Sequence, residues 1–299
     1  LSAVVIYKTP DAALMGQGLS GTIDMQTVRP LDFSKRTVAV NYRKQRLGVG
    51  TGQDEGDGSR FSLAYIDQFM DRKLGVALGF ARLDETGAKS TRFEAWGVAD
   101  TANGEGTVKT PGGFNSFVDQ TVQTRDGAMA VFQFKPNKDF SSTLDIFSSK
   151  FKQDNTNTGF QAPVGFSSAG GYDPNTTGLS NATIAGGVAT SGTFDNFKGV
   201  VRIDNERIED KLTSFGWKNV LTMGEWTGTA DIAQSKVKRR GTRAETTAGL
   251  PGNGNVGGAT DTISWSGFDG NNVQGANYTT GLNYSDRNVI KLTDVQGWG

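Results

Sequence analysis

Residues 60–81, "RFSLAYIDQFMDRKLGVALGFA", alternate between bulky apolar and small or polar side chains on both sides of a short polar turn. The bulky residues share one parity in each half: Phe61, Leu63, Tyr65 and Phe69 before the turn, and Leu74, Val76, Leu78 and Phe80 after it. Because successive side chains of a strand point to opposite faces, this pattern predicts a β-hairpin. One face would be apolar, and the other would carry small or polar residues.

The same arrangement occurs twice more in the chain. "AMAVFQF" and "FSSTLDIF" flank a polar turn at 135–139, and "LTSFGWKNVL" and "WTGTADIAQS" flank another at 222–225. Much longer polar stretches, which we expect to be loops, begin near residues 51, 85, 153 and 249. Short and long connections therefore alternate, as in outer-membrane barrels, which have short periplasmic turns and long external loops.

The composition restricts the chemistry that the chain can perform. Its 299 residues include no His and no Cys, and 31 basic residues balance 31 acidic ones. Imidazole and thiolate catalysis, disulfides and the usual zinc sites are therefore excluded. We expect no enzymatic activity, no cofactor and no bound metal. The balanced charge argues against nucleic acid as a partner.

If the chain crosses a membrane, the sequence predicts that it does so with strands and not with helices. No run approaches the roughly 18 apolar residues of a spanning helix. In the strand that starts at Trp226, the even positions are small or apolar up to Ile232 and then become Lys236, Lys238 and Arg240. About ten residues at ~3.3 Å each, tilted by ~40°, climb ~25 Å, the height of a barrel's apolar band.

These patterns predict an all-β fold, a transmembrane antiparallel β-barrel. Trp226 would lie at one membrane interface. Lys236, Lys238 and Arg240 would lie at the other, against the phosphates of lipopolysaccharide. A soluble β-sandwich is the alternative, because its strands alternate too.

The opening segment contains "MGQGLSG", in which Gly16, Gly18 and Gly21 have the spacing of a dinucleotide-binding loop. Such a loop lies between a strand and a helix. "AVVIYK" predicts the strand, but "TIDMQTVRP" alternates and predicts a second strand where the helix should begin. We therefore expect a glycine-rich connection between two strands.

Residues 4–33, "VVIYKTPDAALMGQGLSGTIDMQTVRPLDF", resemble the end of the plug domain of TonB-dependent outer-membrane receptors. The likeness is strongest to the class common in Xanthomonas-like and Caulobacter-like bacteria. It lies in a "V-x-(V/I)-x-K" strand, a "G-x-G-x-x-G-x-(I/V)-(D/N)-(hydrophobic)-x-T" segment and "(R/K)-P-L-D". The resemblance implies that residues 1–33 are the C-terminal end of an N-terminal plug domain with its linker. The glycines would then permit tight chain paths in the plug.

Residues 34–299 would then be the N-terminal part of the barrel, about eight of its roughly 22 strands, with long extracellular loops. A whole receptor also has a signal peptide, a TonB box and a complete plug. The implied function is active import of a nutrient, of the oligosaccharide or siderophore class, across the bacterial outer membrane. The TonB energy-coupling complex would act through a region absent from this chain. The alternative is a complete small eight-stranded outer-membrane barrel with a structural or adhesive role.

Two sets of side chains are candidate contacts within such a receptor. Inward-facing Gly75, Ala77, Gly79 and Ala81 would leave room for the plug. Asn41, Arg43 and Asp145 are candidates to hydrogen-bond to it, and contact with water in the lumen is the alternative. Six aromatic residues in or beside the proposed external loops are candidate ligand contacts: Trp96, Phe114, Phe160, Tyr172, Trp265 and Tyr278. Flat aromatic faces suit sugar rings and catecholate siderophores alike, and packing of the loops against each other is the alternative role.

Overall fold

The computed structural model describes residues 3–9, 21–49, 54–104, 106–166, 178–250 and 260–299. These ranges are all-β, with single-turn 3-10 helices at Pro30–Asp32 and Val273–Gly275 and no α-helix. Neither helical turn has the length and apolar character that crossing a bilayer requires, and the described ranges contain no helix that does. The strands are β1 (Ala3–Tyr7), β2 (Thr22–Gln26), β3 (Thr37–Leu47), β4 (Gly56–Phe69), β5 (Leu74–Thr86), β6 (Ser90–Ala95), β7 (Val98–Asn103), β8 (Gly106–Pro111), β9 (Gly113–Phe134), β10 (Phe140–Pro163), β11 (Leu179–Ala185), β12 (Val188–Phe197), β13 (Val200–Met223), β14 (Trp226–Gly249), β15 (Asp261–Ser266), β16 (Asn277–Thr280) and β17 (Lys291–Trp298).

Nine strands form one large antiparallel sheet, in the order β17-β14-β13-β10-β9-β5-β4-β3, with β6 paired to β9. Tight turns join β4 to β5, β9 to β10 and β13 to β14, so the three predicted hairpins are confirmed. All three turns lie at the same end of the sheet, which we call the short-turn end. In the described residues β3 and β17 have no further neighbour, so the sheet is open.

The strands are longer than their apolar pattern indicates. The stretches expected to be loops from residues 85 and 153 are partly strand, because β9 begins at Gly113 and β10 runs on to Pro163. A strand of 24 residues extends about 80 Å. The polar residues there remain extended because neighbours on both sides complete the backbone hydrogen bonds of β9, β10 and β13.

One face of the large sheet, which we call the inner face, holds residues 27–33, the docked segment. Val131 of β9 is 0 % exposed and Ala77 of β5 is 2 % exposed, and both pack with Val28 and Phe33 of this segment. Burying a valine side chain fully contributes about 1.5–3 kcal/mol. The small residues on the inner face leave room for the docked segment to pack against the sheet.

The outer face carries the bulky apolar side chains, and they are exposed. The register of the large sheet places them opposite one another on neighbouring strands. They are 37 % to 65 % exposed and include Val38, Val40, Leu63, Leu78, Phe80, Phe132, Ile146, Phe215, Trp217 and Ile232. We call this set the apolar band.

The three long connections fold together at the other end of the sheet. Each contributes a pair of strands to a second, distal sheet, in the order β16-β15-β12-β8-β7, with β11 paired to β12. β12 and β8 meet as parallel neighbours, while the other pairs are antiparallel. Phe194, Phe197, Ile263 and Val273 form the centre of its buried core. The connections are therefore an ordered layer with a core of their own.

Replacement of Gly75 should loosen the docked segment. A Cβ at Gly75 would lie 2.9 Å from both Cδ2 of Leu31 and Cγ of Pro30, so Gly75→Val overpacks this contact by about 1–3 kcal/mol. Hydrogen exchange of the Asp32 and Phe33 amides, which close the 3-10 turn, should become at least about fivefold faster. Gly127→Val is the matched control on the same face, since its Cβ would meet only a carbonyl 3.9 Å away. Equal exchange in both variants would contradict the packing role of Gly75.

Candidate functional site

The docked segment is held on the inner face by polar contacts as well as by packing. Arg29 donates to both carboxylate oxygens of Asp145 at 3.0 and 3.1 Å, and the Thr27 hydroxyl donates to the same carboxylate at 2.5 Å. Gln68 of β4 donates through Nε2 to the carbonyls of Pro30 and Phe33. The charge-assisted bonds between Arg29 and Asp145 belong to a class that is roughly twice as strong as neutral hydrogen bonds. The segment is thus attached to β4 and β10 at the short-turn end.

The residues that the sequence predicts to face inward can be compared with these contacts. Asp145 bonds to the opening segment as predicted, and Gly75 gives it room. Gly79 instead faces the Met129 side chain. Asn41 is exposed, and Arg43 is exposed and donates to Gln45, so hydrogen bonding of these two residues to a plug remains a prediction. They lie further from the short-turn end than the segment reaches.

Farther along the inner face, polar side chains from β9, β10, β13 and β14 line a groove of about 460 Å³. The register places them in two cross-strand rows, one through Asn155 and one through Asn157. The rows are Thr121, Asn155, Glu206 and Arg243, and then Asp119, Asn157, Asp204 and Glu245. We call this set the inner polar groove.

Hydrogen bonds join the side chains of the groove in two groups. Asn155 accepts from Thr121 at 2.8 Å and donates to Glu206 at 3.1 Å. Arg202 bridges Asp204 and Glu245, at 2.8 and 2.5 Å. The Oδ1 atom of Asn157 is buried and has no partner among the described residues. A buried carbonyl oxygen without a donor is costly, so the groove offers an acceptor that a donor group of a ligand would satisfy.

An arginine–carboxylate pair borders the groove on the side of the short-turn end. Arg239 donates to both oxygens of Asp210, at 2.7 and 2.6 Å. These bonds lower the pKa of the Asp210 carboxyl below its usual value, and the positive charges of Arg239 and Arg125 add to the effect. The pair keeps this part of the inner face in an ionised, fixed arrangement.

The groove is suited to binding a polar molecule. It presents amide, hydroxyl, carboxylate and guanidinium groups side by side, so a ligand with many hydroxyl groups would find both donors and acceptors. In the described ranges no three acidic residues are grouped closely enough to hold a metal ion.

The structure brings four of the six candidate aromatic residues into the core of the distal sheet. Phe114 and Trp265 are buried there, and Phe160 and Tyr278 pack against them half-buried. Phe114 lies 4.6 Å from Tyr278 between ring centroids, and burial raises the pKa of the Tyr278 hydroxyl. Trp265 packs against Phe194, and Phe160 packs against Phe197 and Tyr284, so the geometry gives the four rings the alternative role of packing the connections. Contact with a ligand remains a prediction.

The remaining candidates have separate positions. Trp96 is half-buried, and its indole lies against Gly113 at the start of β9. Tyr172, Gly16 and Gly18 lie outside the described residues. Gly21 has φ +129°, and a Cβ there would lie 2.8 Å from the Tyr7 carbonyl oxygen, so this position requires glycine. The element that follows it is strand β2, as predicted.

The basic candidates Lys236, Lys238 and Arg240 are exposed on the outer face of β14. They share a face of β14 with Ile232 and lie farther from the short-turn end than it does. The predicted change from apolar to basic residues along one face of this strand is therefore present in the structure.

The sequence pattern does not predict the inner polar groove. "QDNTNTG", residues 153–159, lacks apolar residues and therefore predicts a loop. Its odd positions, Gln153, Asn155 and Asn157, share the parity of Asp145, which was predicted to face inward. Extending that alternation through the polar stretch would have placed these three residues on the inner face.

No protein-family model matches the chain, and neither a curated protein nor a solved structure matches it.

Removal of Arg239 should raise the pKa of Asp210. In Arg239→Gln the carboxyl loses its two charge-assisted bonds, so its pKa should rise toward the ordinary value of about 3.9. Because the pKa in the folded chain is lowered, the stabilisation is present above the unfolded-state pKa and is lost as pH falls through the folded-state value. A carbon NMR titration of the Asp210 carboxyl between pH 6 and pH 2 measures both variants.

Arg207→Gln is the matched control for this titration. Arg207 pairs with Asp154 on the outer face, so its removal should leave the titration of Asp210 unchanged. Identical Asp210 titrations in the wild type and in Arg239→Gln would show that Arg239 does not hold the carboxylate.

Proposed function

We propose that this chain is part of a TonB-dependent receptor that imports a nutrient across the bacterial outer membrane. Residues 1–33 would be the end of its plug, and residues 34–299 the first strands of its transmembrane barrel. One observation carries the proposal: the large sheet exposes its bulky apolar side chains on the outer face and packs chain against small residues on the inner face. A water-soluble sheet normally buries its apolar face.

The extent of the apolar band fits a bilayer. On β5 it runs from Leu74 at the short turn to Phe80, and Arg82 follows on the same face. Leu74 to Arg82 spans about 26 Å along the strand, which at a tilt of ~40° is about 20 Å of height, within about 5 Å of the apolar band of outer-membrane barrels. Soluble monomers rarely expose contiguous apolar patches larger than a few hundred Å². In lipid, an exposed apolar face does not carry the unfavourable free energy that it carries in water.

The two ends of the sheet differ as the two sides of an outer membrane do. Short turns and exposed aromatic rings lie at one end: Phe69, Phe134, Trp217 and Trp226 are close to the turns. Aromatic residues are enriched at membrane interfaces. The other end carries the long connections and the distal sheet. These features support an orientation with the distal sheet outside the cell.

The inner face would then line the lumen of the barrel. The docked segment lies there near the short-turn end, and the inner polar groove lies between it and the external side. Amide and carboxylate groups favour a hydroxyl-rich ligand, of the oligosaccharide class, although a siderophore remains the second candidate. Energy would come from the TonB complex through a region outside this chain. Outer-membrane lipid and lipopolysaccharide would contact the outer face.

Arginine at two adjacent positions of β10 should distinguish a lipid-facing side from a lumen-facing one. Ile146 on the outer face is 43 % exposed and Phe147 on the inner face is 40 % exposed, so the two positions are equivalent in water. In lipid bilayers Ile146→Arg should destabilise the protein by about 2–4 kcal/mol more than Phe147→Arg does. Folding into lipid vesicles, followed by urea titration and heat-modifiable gel migration, measures the difference.

Equal stability losses in the two variants would contradict a lipid-facing outer face.

Uptake by intact cells tests transport itself. Cells that lose the gene should lose energy-dependent accumulation of one labelled nutrient, tested with an oligosaccharide and a catecholate siderophore. Accumulation should also stop when the proton gradient is collapsed or the TonB protein is deleted. Uptake that persists without the gradient would contradict active transport, and unchanged uptake after loss of the gene would favour a small barrel with a structural or adhesive role.

A further inference from the structure

A row of three lysines crosses the outer face of the large sheet. Lys150 of β10 lies directly opposite Lys211 of β13, which lies directly opposite Lys238 of β14. Side chains at directly opposite positions share one face, with Cβ atoms about 4.5–5.5 Å apart. All three are exposed. We call them the lysine row.

The three lysines form no ion pair, whereas charged residues beside them are paired. Within the described ranges no ion pair involves Lys150, Lys211 or Lys238. Asp126 lies directly opposite Lys150, but its carboxylate pairs with Arg82 at 3.3 Å. One step farther from the short-turn end, Lys152 pairs with Glu209 at 3.4 Å. Like charges directly opposite each other destabilise a sheet. Three adjacent lysines therefore carry an unfavourable interaction that a bound anion would relieve.

The position of the lysine row indicates which kind of anion would fit there. Four residues nearer the short-turn end, the same face carries Ile146, Phe215 and Gln234, and beyond them lie Trp217 and Ile232 of the apolar band. The row therefore follows the border of the band. A molecule lying against both would have a negatively charged head and apolar chains. Each basic residue near an anionic lipid surface contributes about 1 kcal/mol to binding.

We propose that the lysine row binds the phosphorylated headgroup of a membrane lipid whose acyl chains lie along the apolar band. The inference rests on the proposed function only in that the outer face must lie in lipid. It changes the expected lipopolysaccharide contact from one strand to three. Lys238 remains a contact, Lys150 and Lys211 join it, and Lys236 and Arg240 flank it on β14.

Lipid binding by the full chain in detergent micelles tests this site. The probe is bisphosphorylated lipid A, and native mass spectrometry or a fluorescent lipid A measures its affinity. Replacing all three lysines with glutamine should lower the affinity about 100-fold. Replacing all three with arginine should preserve it, because the charges remain. Inorganic phosphate at millimolar concentration should not displace the lipid, since it lacks acyl chains.

Three lysines at the opposite border of the band provide the matched control. Lys73, Lys135 and Lys138 are exposed in the short turns, and their replacement with glutamine should change lipid A affinity by less than about threefold. Equal losses in the two triple variants, or no loss in the lysine row, would overturn the site. Displacement of lipid A by inorganic phosphate would show a site for free phosphate instead.

Two further measurements keep the outcome unambiguous. Without lipid, the triple glutamine variant of the lysine row should melt at a higher temperature than the wild type, because the repulsion has been removed. A lower melting temperature would contradict the strain that the site depends on. If the Ile146 and Phe147 arginine variants differ as expected while the lysine row binds no lipid, this inference fails and the proposed function stands.

Discussion

The unbroken cross-strand register of the seven strands from β3 to β14 in the large sheet is the constraint on which the other features depend. No bulge interrupts the pairing between β9 and β10 from Phe134 to Gly113. A shift by one residue would exchange every inner side chain for an outer one. The β9–β10 hairpin contributes to the apolar band, the packing under the docked segment, the inner polar groove and the lysine row. A change of register in this hairpin would therefore disrupt all four.

Volume and charge cooperate where the docked segment meets the sheet. Glycine and alanine on β5 let Pro30 and Leu31 approach the strand backbone, and Val131 fills the space beside them. The Arg29–Asp145 pair and the two bonds from Gln68 then fix the segment along the strands. Apolar packing stabilises the docked segment but does not fix its position along the strands. The polar contacts specify one position. The segment is thus held by packing and by a few polar bonds near the short-turn end.

The distal sheet joins the described parts of three separate connections into one layer. Together they bury an aromatic cluster in which Phe194 and Trp265 lie 5.1 Å apart between ring centroids, and the Trp265 indole donates to the Ala189 carbonyl. Phe114 and Phe160 belong to the outer face of β9 and β10 by register, whereas the residues of the inner polar groove belong to the inner face of the same strands. Aromatic packing and the polar groove therefore use opposite faces of β9 and β10.

The sequence by itself determined the three hairpins, the parity of their apolar residues, the strand after Gly21 and the inward position of Asp145, because alternation and turn chemistry are local properties. It did not determine where β9, β10 and β13 end, since polar residues stay extended only when neighbouring strands complete their hydrogen bonds. The inner polar groove, the lysine row and the shared aromatic core join residues of different strands and connections. Only the tertiary structure decided these, because which residues lie opposite each other depends on the pairing of distant segments, and a single strand carries no record of its partners.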